Sequence, residues 1–169
     1  MLNKRVLISC LILAVSAAAL QTIPRILGPA FVFTGILSGF LVYFAAQLNW
    51  FLGFAVYLTA SALSASMDMG EAVFFICTNG IIGLSLGIIK DRFKNIYLVP
   101  VLSALLVTVM LCIVNYLFGI NSSGYSAPKA IIPQALTLFL PLYIYCFICL
   151  KLAMSAYNLL HKYINFHIY

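Results

Sequence analysis

Six long apolar segments, separated by short connections, constrain the fold of this chain more than any other feature. They cover residues 6–23, 26–47, 50–67, 72–89, 96–119 and 131–160. A helix of about 20 apolar residues crosses the hydrocarbon core of a bilayer. Because lipid offers no hydrogen bonds to the backbone, each such segment must be helical. The sequence therefore predicts an all-α integral membrane protein, a compact bundle of six transmembrane helices.

The composition agrees with a bundle immersed in lipid. Of the 169 residues, 65% are hydrophobic and 7% are charged, whereas soluble domains contain about 25% charged residues. A soluble domain of this length has too little interior to bury so much apolar surface. The loop 121–129 is the longest connection between the segments. We therefore expect residues 1–169 to form one membrane domain, with no soluble part that could bind nucleic acid.

The N-terminal segment has a second interpretation. Lys4 and Arg5 precede an apolar run that ends in small residues, an arrangement typical of a cleaved signal peptide. The Leu7-to-Cys10 stretch also resembles a lipoprotein processing site, but the apolar run before Cys10 is too short. Because five further segments follow, we expect the first one to remain as an uncleaved membrane helix.

The distribution of Lys and Arg predicts the orientation of the bundle. Short loops rich in these residues remain in the cytoplasm. The pairs Lys4 with Arg5 and Lys90 with Arg92 fall at one end of a six-helix bundle, and Arg25 falls at the other. Both termini are therefore expected to be cytoplasmic. The same orientation places Lys94 and Lys162 inside, Lys151 near the inner face, and Asp68, Glu71 and Lys129 outside.

Small residues recur at intervals of four in several segments. Gly39 lies in such a stripe in the second segment, and Gly83 and Gly87 form one in the fourth. Helices in lipid associate by close packing, which small residues permit. The stripes therefore predict packing within the bundle. The stripe on the first segment, which includes Ala14 and Ala18, is also a candidate contact for another membrane subunit.

Polar side chains gather in the predicted outer half of the fourth, fifth and sixth segments. A polar residue inside a membrane is costly unless it faces a cavity or a partner. We predict a ligand pocket here, closed by the loop 121–129, in which a carboxylate binds a positive group or accepts hydrogen bonds, amides orient the ligand and tyrosines stack on it. Interhelical hydrogen bonds without a ligand are the alternative. The candidate ligand-binding residues are Glu71, Asn79, Asn115, Tyr116, Gln134 and Tyr143.

The groups that catalysis requires are sparse in this sequence. His161 and His167 both follow the last apolar segment, and neither has a second candidate metal ligand at a suitable spacing. Without a nucleophile and base, an Asp pair or a metal, hydrolysis in a membrane has no mechanism, so we expect no enzyme activity, metal or cofactor. Cys146 and Cys149 form a Cys-x-x-Cys pair, which we interpret as packing because free cysteines behave as small apolar residues.

The overall layout resembles that of the substrate-binding S components of energy-coupling factor vitamin transporters. The resemblance rests on the six segments, on Ala14 and Ala18 in "AVSAA", and on the glycine-rich fourth segment "NGIIGLSLGIIKDRFK". It implies a protein of the bacterial plasma membrane that captures a vitamin-like molecule from outside. It also implies docking to a transmembrane T component through Ala14 and Ala18, and delivery of the ligand with two cytoplasmic ATPases.

Two features depart from that pattern and leave other functions open. The connection between the first two segments is shorter than the lid of many S components, and no motif identifies one vitamin. One alternative is a non-transporting scaffold like the rod-shape-determining membrane protein D family, although the acidic helix end expected there is missing. The other alternative is a small transporter that works without ATPases.

Overall fold

The fold is known from a computed structural model, which describes residues 4–93, 95–118 and 131–166, and the side chains of 8–93, 95–116 and 135–159. All regular structure in these ranges is helical. Six helical segments within them are long and apolar enough to cross a membrane. The predicted all-α architecture with six candidate membrane spans is therefore confirmed.

The fourth of these spans is built from two helices, and the other five each contain one α-helix. A single turn of 3₁₀ helix, Pro29–Phe31, connects the first two spans. The α-helices are α1 (Lys4–Leu27), α2 (Phe33–Leu48), α3 (Trp50–Met67), α4 (Met69–Cys77), α5 (Asn79–Arg92), α6 (Leu98–Phe118) and α7 (Ile131–Phe166). With 36 residues, α7 is about 54 Å long and exceeds the roughly 30 Å of a bilayer core.

The turn between α1 and α2 depends on a glycine. Helix α1 continues through Pro24 and ends at Leu27, four residues beyond the predicted first segment. The φ angle of Gly28 is 99°, in a region that residues with a side chain rarely adopt. Its amide donates to the carbonyl oxygen of Pro24 at 2.9 Å. The chain thereby reverses within a few residues, and the start of α2 lies beside the end of α1.

The fourth span is interrupted where one continuous helix was predicted. Thr78 has φ −126° and ψ −93°, outside the helical region, and it separates α4 from α5. Thr and Asn side chains compete for backbone hydrogen bonds, and here Thr78 and Asn79 are followed by Gly80. The hydroxyl of Tyr57 on α3 donates to the carbonyl oxygen of Ile76 at 3.1 Å. A neighbouring helix thus supplies a partner at the end of α4.

Helices α2 and α5 lie at the centre of the bundle. Val42 and Leu84 belong to a buried cluster with residues of α1, α3 and α4, whereas Tyr43 and Leu86 belong to a second cluster with α6 and α7. At the crossing of α2 and α5, a Cβ atom on Gly39 would lie 2.6 Å from the carbonyl oxygen of Asn79 on α5. The two backbones approach this closely only because glycine is present, as the small-residue stripes predict.

The two ends of the bundle carry different side chains. The end at which α1 and α3 finish holds Arg25, Asp68 and Glu71, and we call it the Asp68 end. The opposite end, at which α2 and α5 finish, holds Lys90 and Arg92, and we call it the Lys90 end. Which end faces the cytoplasm, and hence the location of the termini, stays a prediction from the positive charges.

Candidate functional site

Gln21, near the end of α1, lies at the centre of a buried hydrogen-bond network. Only 1% of its surface is exposed, so its amide must find partners within the protein. Its Nε2 donates to Oε2 of Glu71 on α4 at 2.9 Å. Its Oε1 accepts from Nδ2 of Asn79 on α5 at 3.2 Å, and the hydroxyl of Ser38 on α2 lies 3.1 Å from the same oxygen. One side chain therefore links four helices.

Tyr145 extends these contacts to a fifth helix, α7. Its hydroxyl donates to Oδ1 of Asn79 at 3.3 Å. The Ser38 hydroxyl lies 2.6 Å from the carbonyl oxygen of Gly35 as well as near Gln21, and its single proton serves one acceptor at a time. We call the set of five side chains the Gln21 network: Gln21, Ser38, Glu71, Asn79 and Tyr145.

A cavity of about 610 Å³ lies beside this network. Small-molecule sites typically have volumes of about 300–1,000 Å³ and mostly apolar walls with a few polar groups. Gln21, Glu71, Asn79 and Tyr145 supply most of the polar lining here. The other lining residues are Pro24, Val32, Gly35, Ile36, Gly70, Phe74, Thr78, Ile82 and Leu142.

The cavity extends from the Asp68 end into the middle of the bundle. Gly70 and Glu71 line it in the first turn of α4, and Asn79 lines it at the start of α5. Because α4 has nine residues, Asn79 lies about 15 Å from the start of the span at roughly 1.5 Å per residue. That distance is about half of the bilayer core, so the network extends from Glu71, in the first turn of α4, to Asn79 near mid-depth.

Helix α4 separates this cavity from a second one of about 420 Å³. Gly70, Phe74 and Thr78 line both cavities, so the wall between them is one helix thick. The remaining residues that line the second cavity, Met69, Val73, Cys77, Leu111 and Val114, carry no charge or amide. Of the two cavities, only the one beside Gln21 has acidic or amide groups among its described lining residues.

An ion pair and a helix cap hold the first turn of α4 in position. Arg25 on α1 forms an ion pair with Asp68, the residue that precedes α4. Oδ1 of Asp68 also accepts from the backbone amide of Glu71 at 2.8 Å, as a capping residue does. This cap fixes the turn that carries the Glu71 side chain to Gln21. The charge of Arg25 is directed to Asp68, and Glu71 is the one charged lining residue in the described part of the chain.

Two of the six predicted ligand-binding residues line this cavity, Glu71 and Asn79. Asn115 and Tyr116 lie near the end of α6 and do not line it, and Tyr116 is 70% exposed. The side chain of Gln134 lies outside the described residues.

Tyr143, the sixth candidate, packs against other aromatic rings. Its ring centroid lies 6.5 Å from that of Phe139 and 6.4 Å from that of Phe147. Tyr145, two residues further along α7, lines the cavity instead. The polar groups that meet in the structure therefore come from α1, α2, α4, α5 and α7, whereas the predicted pocket lay between the fourth, fifth and sixth spans.

Three members of the Gln21 network, Gln21, Ser38 and Tyr145, were not among the predicted ligand-binding residues. Gln21 had a usable signal, because it is an amide inside an apolar segment, where polar residues are costly. Ser38 lies between glycines of a packing stripe, and nothing in the sequence distinguishes it from a packing residue. The choice between Tyr143 and Tyr145 depends on the rotation of α7 about its axis.

The predicted docking motif on α1 lies inside the protein. Ala14 is 0% exposed and Ala18 is 3% exposed. Ala14 belongs to a cluster with residues of α2 and α3. The surface of α1 that remains exposed carries larger apolar residues, among them Ile12 and Val15. These two alanines therefore pack within the bundle in this structure, and their contact with a partner subunit stays a prediction.

In the described structure, the cysteines form no disulfide, and the acidic residues belong to no cluster that could hold a metal ion. Cys146 and Cys149 are buried with free thiols in the cluster that joins α5, α6 and α7, consistent with the packing interpretation. Within the described ranges, no three His, Cys, Asp or Glu side chains lie close enough together to hold a metal ion.

No protein-family model matches the sequence, and neither a curated protein nor a solved structure shows significant similarity to it.

Proposed function

We propose that this chain is the membrane-embedded substrate-capture subunit of an energy-coupling factor importer in a bacterial plasma membrane. It binds a vitamin-like small molecule from the outer face and delivers it with a T component and two cytoplasmic ATPases. The observation that carries the proposal is the cavity of about 610 Å³ lined by Gln21, Glu71, Asn79 and Tyr145. Polar groups from four helices reach one mostly apolar space between the Asp68 end and the middle of the bundle, as expected for a ligand site.

The size of the cavity favours a ligand over interhelical hydrogen bonds alone. Interhelical hydrogen bonds alone require no space beside the side chains that form them, whereas a ligand does. The space of about 610 Å³ is many times the roughly 30 Å³ share of one water molecule in the liquid. An opening of this size beside buried polar groups supports binding of a molecule with several heavy atoms.

The Glu71 carboxylate retains capacity to bind such a molecule. An ionised carboxylate offers about four acceptor positions. Among the described residues, Nε2 of Gln21 is the side-chain donor that reaches it, through Oε2. The remaining acceptor positions of Glu71 are available to a ligand in the cavity that it lines.

The importer part of the proposal rests on the sequence resemblance and on the predicted orientation, in which the Asp68 end faces outward. Because Ala14 and Ala18 are buried, we propose that a T component contacts the exposed face of α1 formed by Ile8, Ile12 and Val15. This face continues along the same helix at intervals of three and four residues, as a helix contact requires.

A transporter that works alone is the second candidate. The burial of Ala14 and Ala18 favours it, because the residues expected to dock a partner are already used for internal packing. The same cavity would then serve as the binding site of a complete transporter.

Co-purification from the native organism separates these functions. Recovery of the tagged chain with a pair of ATPases and a second membrane subunit is the expected result. Recovery with cell-wall elongation proteins would support the scaffold alternative, and recovery of the chain alone would support the stand-alone transporter.

Native mass spectrometry of the same sample tests whether the cavity is a binding site. We expect a retained small molecule that is lost from Glu71→Ala and Asn79→Ala variants. Gln47→Ala is the control, because the Gln47 amide bonds to the carbonyl oxygen of Gly87 at 2.8 Å, away from the cavity. If all three variants retain the molecule equally, the cavity is not its binding site.

A further inference from the structure

We infer that the cavity beside Gln21 selects a monovalent organic cation with an apolar body, and that Glu71 is its counter-ion. This inference rests on the proposed function, because it names the ligand class of the same site. From the sequence, Glu71 was expected either to bind a positive group or to accept hydrogen bonds. The charges, hydrogen bonds and walls of the cavity distinguish the two.

The first argument is the balance of charge. Of the described residues that line the cavity, Glu71 alone is charged. The nearest guanidinium described, that of Arg25, is bonded to Asp68 instead. A neutral ligand would leave the Glu71 charge without compensation by any described lining residue, an anion would add a second negative charge, and a monovalent cation would neutralise it.

The second argument is the surroundings of that charge. Glu71 is half-buried, and a carboxylate that is partly removed from water is favoured by a paired charge or by hydrogen bonds. One neutral amide donor, from Gln21 at 2.9 Å, satisfies part of this requirement. Because Coulomb attraction strengthens as the local dielectric falls, a ligand cation beside the apolar walls of the cavity would interact with Glu71 more strongly than a fully hydrated cation would.

The third argument is the rest of the lining, which excludes a small metal ion. Calcium and magnesium require about six or more oxygen ligands, usually with several carboxylates or waters. The described lining residues include one carboxylate, and Oε1 of Gln21 already accepts from Asn79. Ile36, Ile82 and Leu142 form apolar walls that suit a hydrocarbon or aromatic body.

Phe74 provides a further contact for a positive group. It lines the cavity one helical turn after Glu71 on α4. A cation within about 6 Å of an aromatic ring is attracted to the face of the ring. Carboxylate and ring therefore lie on the same helix, at the spacing that places two side chains on one face.

A series of three probes with the same ring and different charges tests the inference. Phenethylammonium is the cation, 2-phenylethanol the neutral member and 3-phenylpropionate the anion. Their dissociation constants are measured by calorimetry on the chain in nanodiscs, with empty nanodiscs subtracted. We expect phenethylammonium to bind at least tenfold more tightly than 3-phenylpropionate.

Two substitutions of Glu71 relate this preference to its charge. The ratio is that of the dissociation constant of 3-phenylpropionate to that of phenethylammonium. Glu71→Gln should reduce this ratio at least fivefold. Glu71→Asp keeps the charge and should retain the preference for the cation. This retention would attribute the loss of preference in Glu71→Gln to the missing charge. Asp91→Asn is the matched control, because Asp91 is exposed at the Lys90 end, and it should leave the ratio unchanged.

The remaining outcomes distinguish failure of this inference from failure of the proposed function. Equal affinities for the three probes, or tighter binding of the anion, would overturn the cation class and leave the cavity as a binding site. A ratio unchanged by Glu71→Gln would also overturn it. If none of the probes binds at millimolar concentration, the cation class is overturned, whereas the capture function is overturned only if native mass spectrometry also finds no molecule that depends on Glu71 and Asn79.

Discussion

Nδ2 of Asn79 lies 3.2 Å from Oε1 of Gln21, although 58 positions separate the two residues in the sequence. This contact joins the start of α5 to the last third of α1. It also leaves Oδ1 of Asn79 directed to the hydroxyl of Tyr145. Hydrogen bonds between membrane helices contribute about 1 kcal/mol or less on average, so the main consequence of this one is geometric. It fixes which groups face the cavity.

Replacing Gln21 tests how far the network stabilises the bundle. Gln21→Leu removes the bonds to Glu71 and Asn79, and it leaves the buried Asn79 amide without its acceptor and the half-buried Glu71 carboxylate without its donor. We expect the free energy of unfolding to fall by about 1–3 kcal/mol, the cost of an unsatisfied buried polar group. Unfolding in mixed micelles with increasing SDS measures this change.

Gln47→Leu provides the matched control for that experiment. It removes one hydrogen bond, which the Gln47 side-chain amide donates to the carbonyl oxygen of Gly87, and it leaves no charged group without a partner. We expect it to cost less than Gln21→Leu. An equal or larger loss for Gln47→Leu would contradict the central position of Gln21.

The close crossing of α2 and α5 predicts that Gly83 tolerates no side chain. A Cβ atom there would collide with the carbonyl oxygen of Gly39, and backbone atoms cannot move aside as a flexible side chain can. We expect Gly83→Ala to lower the free energy of unfolding by about 1–3 kcal/mol, as overpacking of a core does. Gly70→Ala is the control, since its Cβ would meet only Oδ1 of Asp68, at 3.1 Å. Similar losses in both variants would argue against a tight crossing.

Tyr145 and Tyr143 provide a matched pair on α7. Tyr145→Phe removes the hydroxyl that donates to Asn79, whereas the Tyr143 ring packs against Phe139 and Phe147. If the cavity binds phenethylammonium, Tyr145→Phe should weaken binding about 3- to 10-fold, since one hydrogen bond contributes about 0.5–1.5 kcal/mol. Tyr143→Phe should leave the dissociation constant within twofold. The prediction fails if Tyr143→Phe has the larger effect.

The orientation can be tested with cysteines introduced at the two ends. In a variant without the five native cysteines, Met67→Cys lies at the Asp68 end and Asp91→Cys at the Lys90 end, and both positions are exposed. Because positively charged loops remain in the cytoplasm, a membrane-impermeant maleimide should label the first variant in intact cells. It should label the second only after permeabilisation. The reverse pattern would invert the bundle and direct the cavity to the cytoplasm.

Local sequence signals mark some of the helix boundaries. Gly28 followed by Pro29 is typical of a helix end, and α1 does end at Leu27. The break at Thr78 had a weaker signal, because Thr, Asn and Gly occur singly in many continuous membrane helices. It is accompanied in the structure by a bond from Tyr57 of α3 to Ile76, a contact that no pattern within the fourth segment reveals.

The composition of the site was less predictable than its general position. Glu71 and Asn79 were selected because each is a polar residue in an apolar span, and both line the cavity. Gln21 meets the same criterion but lies in the first span, and only the packing of α1 beside α4 and α5 brings it to them. Tyr145 lines the cavity in place of Tyr143 because α7 presents that face to α5.

The sequence by itself determined the number of spans, their helical state and the small residues at their contacts. These properties follow from local hydropathy, from the need to satisfy backbone groups in lipid, and from side-chain size. The tertiary structure alone decided which polar residues meet, where the fourth span breaks and that Ala14 and Ala18 face inward. Those features depend on the rotation and depth of each helix, which contacts between distant residues set.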